Sequence, residues 1–124
     1  MAAPNIVAVT SINGRSAISR PANTSTYSIL TNAADSGRVY KINTIVCANH
    51  NGTLATAANV YINDLANGTG NNIALVFNIP VPALTTLIVA DKSTSFYLEE
   101  NKSITVSSAS ANAISFTVSY EDIS

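Results

Sequence analysis

Along most of the chain apolar and polar residues alternate one for one, and Gly, Asn, Asp and Pro clusters break the alternation about every ten residues. Strict alternation places successive side chains on opposite faces of an extended strand, with one face buried and the other wet. The clearest case is Ala113 to Tyr120, where Ile114, Phe116, Val118 and Tyr120 share one face and Ser115, Thr117 and Ser119 the other. Ile73 to Ile79 reads the same way, with Ile73, Leu75, Phe77 and Ile79 aligned on the buried side. Pro80 and Pro82 should then end the pairing, because proline offers no ladder N–H. Leu84 to Ala90 is apolar on both faces, as expected of a strand covered on both sides. Phe96 to Leu98 forms a short strand closed by Glu99-Glu100-Asn101, and Ile104 and Val106 mark the next.

Upstream, Arg38 to Ala48 is a long extended segment. It runs into Asn49-His50-Asn51-Gly52, a turn signal whose Asn-Gly suits positive φ at both turn residues. Asn59 to Asn63 places Val60 and Ile62 inward, and Asp64 to Asn72 is a Gly- and Asn-rich loop. Asn5 to Thr10 and Thr26 to Leu30 complete the strand set. Leu54 to Ala58 carries helix-favouring alanines but is too short for a stable helix. The pattern predicts an all-β chain of eight or nine strands, folded as a single antiparallel β-sandwich of jelly-roll or immunoglobulin-like type over residues 1–124.

Composition sharpens this picture. Hydrophobic residues make up 47% of the 124 positions and charged residues only 10%, against roughly 25% charged in an ordinary domain. Disorder requires the opposite balance. The net charge is −1 and the few Lys and Arg residues are scattered, so the chain has no phosphate-neutralising patch for nucleic acid and no basic cluster for an anionic membrane surface. No apolar run approaches the roughly 20 residues of a membrane-spanning helix. The start, Met1-Ala2-Ala3-Pro4-Asn5, lacks the basic and apolar regions of a secretory signal. One cysteine, Cys47, cannot close an internal disulfide, which fits a reducing cytoplasm as the place of synthesis. A surface this poor in charge favours association over isolation.

The candidate chemistry is sparse. Cys47 and His50 lie three residues apart, a spacing that sends strand side chains to opposite faces, and no third orienting group accompanies them. Asp64 to Asn71 superficially suggests a calcium loop but lacks alternating acidic ligands and a closing Glu. Gly68-Thr69-Gly70 precedes a strand rather than a helix and has no lysine beside it, unlike a phosphate loop. Glu99-Glu100 and Glu121-Asp122 are the acidic pairs. Neighbouring carboxylates diverge on a strand, and the second pair sits where exposure is the default, so both read as solvated edges or contacts with a neighbouring subunit. The sequons at Asn23, Asn51, Asn67 and Asn101 follow from an abundance of Asn, Ser and Thr. Tyr27, Tyr40, Tyr61 and Tyr97 could form a sugar-stacking platform, but tyrosines at strand edges more often pack half-buried. No catalytic, cofactor-binding or metal-binding residue is expected, and neither a cofactor nor an enzyme activity.

The segment Gly37-Arg38-Val39-Tyr40-Lys41-Ile42-Asn43-Thr44-Ile45-Val46-Cys47-Ala48-Asn49 leads to Asn51-Gly52-Thr53, then Pro80-Val81-Pro82 and Leu87-Ile88-Val89-Ala90-Asp91-Lys92. Phe96 to Ile104 and the closing Val118-Ser119-Tyr120-Glu121-Asp122-Ile123-Ser124 follow. In this order of strands and turns, best from Arg38 to Ser124, the chain resembles small β-sandwich virion proteins of tailed bacteriophages, especially those of marine cyanobacteria. The resemblance implies a virion protein assembled in the host cytoplasm. Its foremost role would be capsid decoration (cement) on the head exterior, with a neck, tail or fibre-attachment component as the alternative. Its implied partners are copies of itself and the major capsid protein or other virion proteins, with neither nucleic acid nor membrane. A cell-surface or glycan-binding module is a further alternative, from outside the virion. Residues 1–21 are expected either to form an inter-subunit arm or to supply edge strands of their own domain.

Overall fold

The computed structural model describes residues 4–124. It contains nine strands: β1 (Ile12–Ser19), β2 (Tyr27–Asn32), β3 (Val39–Asn49), β4 (Thr56–Asn63), β5 (Asn72–Val81), β6 (Thr86–Ala90), β7 (Phe96–Leu98), β8 (Lys102–Ser108) and β9 (Ile114–Ile123). All ladders are antiparallel. One sheet has the order β1-β9-β3-β6, with β7 also pairing β3, and the other the order β2-β8-β4-β5. The fold is therefore an all-β, two-sheet antiparallel sandwich. Two 3-10 turns, Ala66–Gly68 and Lys92–Thr94, are the helical elements among the described residues.

The alternation read from β9 holds. Ile114, Phe116 and Val118 are fully buried and Tyr120 nearly so. They pack with Ile42, Ile45, Leu98, Val60, Ile104 and Val106 between the sheets. β9 lies between β1 and β3, which explains why so regular a pattern continues to Ile123.

Several expectations fail for local reasons. Asn5 to Thr10 is not a strand. Asn5 Oδ1 accepts from the Val7 N–H and the Asn5 carbonyl from the Ala8 N–H, closing a turn, and Thr10 and Ser11 then donate to the Ser124 carbonyl. The stripe Ile73-Leu75-Phe77-Ile79 does not occupy one face. Ile73 and Ile79 oppose the inward-phase Ile62 and Ala58, but β5 carries two register shifts between them, and Phe77 meets the Tyr61 ring on the outer face at 6.5 Å. Each bulge resets the two-residue period. The strand also continues through Pro80, which a sheet-edge position tolerates. β6 begins only at Thr86, because Leu84, at φ +59, stays in the turn closed by Thr85 N–H donating to the Pro82 carbonyl. Ile88 on β6 is 62% exposed, so this strand is covered on one face only.

Most links cross from one sheet to the other, and such crossings leave backbone carbonyls that no ladder satisfies. Buried asparagines at strand ends meet this need. Asn32, the last residue of β2, donates to the carbonyls of Arg38 and Leu98. Asn49, the last of β3, donates to those of Leu54 and Val81. Asn63, the last of β4, donates to Thr69 and accepts from the Thr105 hydroxyl. The Asn49–Gly52 turn signal acts in this way too. Neither Asn51 nor Gly52 takes positive φ. β3 and β4 lie in different sheets, so no tight hairpin forms. Instead Asn49 Oδ1 accepts from Asn51 N–H, and Asn51 Oδ1 from Thr53 and Leu54.

Candidate functional site

The residues singled out from sequence do not converge. Cys47 is buried in β3, its thiol directed at the Leu87 carbonyl (3.8 Å), and burial pushes that thiol up to about 11. His50 lies beyond the strand end, exposed, with Nε2 3.4 Å from Arg20 Nη1. The pair is therefore not a nucleophile and its base. Asp64 holds its own loop: its carboxylate accepts from the Asn71 backbone N–H (2.7 Å) and side chain (3.0 Å), which lowers it below the usual carboxylate range. Asp91 is lowered chiefly by the Ser93 hydroxyl, in the cap of the second 3-10 turn. The described residues hold no group of three His, Cys, Asp or Glu side chains able to bind a metal. The four tyrosines are dispersed: Tyr27 and Tyr61 on one sheet, Tyr97 on the other, and Tyr40 packed on Tyr120 with ring centres 5.0 Å apart.

One cluster was not anticipated. Asp122 is buried, not solvated. Its Oδ2 accepts from Arg15 Nε of β1 at 3.0 Å and from Arg38 Nη1 at 2.6 Å. Oδ1 is buried without a partner. Around this group burial raises the phenols of Tyr40 and Tyr120; the Asp122 charge adds to both shifts and the guanidinium of Arg15 opposes both. The arrangement ties β1 and the start of β3 to β9. Both of its cations are spent on one carboxylate, so it binds the fold together rather than presenting a reactive group. A signal existed in the sequence: Asp122 continues the even-numbered phase of Ile114 to Tyr120 and must therefore point inward, where a carboxylate needs a cation.

The outer surface is the remaining feature of note. Across the β1-β9-β3-β6 sheet, Ile18, Thr117, Val46 and Ile88 lie side by side in one cross-strand row. Ile18 is 76% exposed. A shallow open groove beside this row is lined by Ile18, Ser19, Arg20, Ser115, Phe116 and Thr117. The neighbouring outward positions Ser16, Ser119 and Thr44 are uncharged; Arg20 borders the groove, and farther along Lys41 opposes Glu121. On the other sheet, the loop after β4 folds across the outer face. Ser103 Oγ accepts from Gly68 N–H and donates to the Leu65 carbonyl, and Asn67 N–H donates to Thr31. This lid buries Ser103 and Thr105 and leaves Phe77 of β5 exposed beyond it.

No family model and no curated protein sequence matches the chain. Solved structures do. A chain of the acid-stable capsid of Helicobacter pylori bacteriophage KHP30 superposes with a TM-score of 0.51 at 9% identity, over 94% of this chain and 90% of that one. A chain of the disulfide-linked pili that form Bacillus endospore appendages gives 0.47 at 16% identity, over 91% and 87%. A chain of the Ralstonia phage GP4 capsid gives 0.45 at 10%, over 97% and 90%. What this chain shares with the KHP30 capsid chain is the β-sandwich fold, along nearly the whole length of both.

Proposed function

We propose that this chain is a non-enzymatic structural component of a bacteriophage virion, bound to the head exterior as a decoration protein that reinforces contacts between capsid subunits. The observation that carries the reading is the surface. A protein with 10% charged residues leaves Ile18, Ile88, Ile73 and Phe77 exposed on two sheets, while its cysteine, histidine and carboxylates are dispersed or tied up in structural contacts. Exposed apolar residues on a charge-poor surface suit permanent burial against other subunits. The whole-length likeness in fold to a phage capsid chain agrees with this role. The setting in tailed phages, and in those of marine cyanobacteria in particular, rests on the order of strands and turns in the sequence. The partners in this reading are further copies of the chain and the major capsid protein.

The test is the copy number of the protein in purified particles relative to the major capsid protein. A ratio close to a simple fraction of the capsid protein, together with loss of head stability to heat when the protein is stripped and its recovery on re-addition, is the expected result. A handful of copies per particle would move the protein to the neck, tail or fibres. Absence from particles would overturn the virion role.

A further inference from the structure

The two sheets have five edge strands, and four of them are defended against pairing; β7, which pairs β3 alone, is only three residues long. β2 has a register shift between Ser28 and Leu30. β5 has two shifts, Pro80 within the strand, and Asn78 at φ +54. β6 is five residues long and shifts register against β3. Bulges, prolines and short length are the usual devices that stop a sheet edge from recruiting another strand. β1 has none of them. Its eight residues pair with β9 without a shift, from Ile12 opposite Ile123 to Ser19 opposite Phe116, and it contains neither proline nor lysine. Among the described residues its other side has no ladder partner.

We propose that β1 is the edge through which two copies of this chain join, β1 against β1, antiparallel, about a two-fold axis at Arg15. The strand is self-complementary about that residue. In an antiparallel ladder opposing residues share a face. Centring on Arg15 therefore sets Ile12 against Ile18 of the second copy, Asn13 against Ala17, and Gly14 against Ser16, and the two-fold repeats each pair. Ile12 and Ile18 are 55% and 76% exposed in the single chain, and this register buries both twice over. A two-fold interface requires such reciprocity. Each Arg15 guanidinium is drawn back toward its own β9 by Asp122, which holds the two like charges away from the axis. A net charge of −1 leaves little repulsion between copies. The joined sheet would run β6-β3-β9-β1-β1-β9-β3-β6, with the uncharged row from Ile18 to Ile88 continuing across the axis. The pairing rests on the assembly reading above for its setting, and names the self-contact within it.

The experiment uses the purified full chain without particles, so its failure is separate from failure of the virion role, which copy number decides. Sedimentation velocity at about 100 μM, a concentration that populates even a micromolar pair, should give twice the 12.9 kDa chain mass. The double variant Ile12→Lys/Ile18→Lys should halve that mass and leave the far-ultraviolet circular dichroism unchanged, since both side chains are exposed. Leu84→Lys, at an exposed apolar residue elsewhere, should leave the pair intact. In a Cys47→Ala background, Ile12→Cys mixed with Ile18→Cys should oxidise to a 12–18 crosslink in preference to 12–12 or 18–18. A monomeric parent chain, an oligomer indifferent to the lysine pair, or crosslinks dominated by 12–12 would each overturn the proposal.

Discussion

At the scale of single residues, Cys47 shows how burial turns a reactive type into a packing element. Its thiol is lifted from 9.0 to about 11 by desolvation, and the phenols of Tyr40 and Tyr120 are raised above 10.0 chiefly for the same reason. In each case the folded state holds the proton more tightly than the unfolded chain. The stabilisation is therefore complete below the unfolded pKa and is lost as pH rises through the folded one. Stability should be flat up to about pH 9, fall first through the Cys47 window to about 11, and fall further as the tyrosines ionise above 10. Melting temperature followed from pH 7 to 11.5 checks this: Cys47→Ala should remove the part of the slope that begins near 9 while keeping the tyrosine part. A thiol reagent should label Cys47 only in denaturant.

At the scale of elements, the loop between β4 and β5 behaves as a lid with its own backbone requirements. Asn67, Gly68 and Gly70 all have φ near +60 to +75. A Cβ on Gly70 would meet Asp64 Oδ1 at 2.1 Å and Leu65 Cγ at 2.9 Å. Gly70→Ala should destabilise the fold by about 2 kcal/mol, from the left-handed backbone cost plus displacement of the Asp64–Asn71 contacts. Gly14→Ala, where the added carbon meets nothing within 4 Å, is the matched control and should cost little; urea denaturation of the two variants checks the difference. The same scale shows what the sequence could reveal. β9, β3 and β8 are legible because they sit inside the sheets, where burial of one face enforces the alternation. β1 is not, since INGRSAIS is mostly polar and is a strand only because β9 needs a second neighbour. The β5 stripe misleads because bulges at an edge reset the period without changing composition. The Asp122 cluster unites residues 107 and 84 positions apart in the chain, so only its acidic member carries a local sign, its inward phase.

At the scale of the whole molecule, both sheets contribute to a common core. Phe116 and Ile45 come from one face, and Val60, Ile104 and Val106 from the other. We expect the two sheets to unfold together, with one transition in urea reported identically by tyrosine fluorescence and by far-ultraviolet circular dichroism. Separated transitions would show that the sheets are independent units. The position of β9 has a further consequence, in time rather than in space. β1 and β3 flank a strand whose residues are the last of the nine to be translated. A nascent chain therefore holds β1 without a partner, and β3 with its β9 side bare, until β9 has left the ribosome and the central ladder can close. A polypeptide that stops short of Ile114 loses the middle of a sheet instead of a margin.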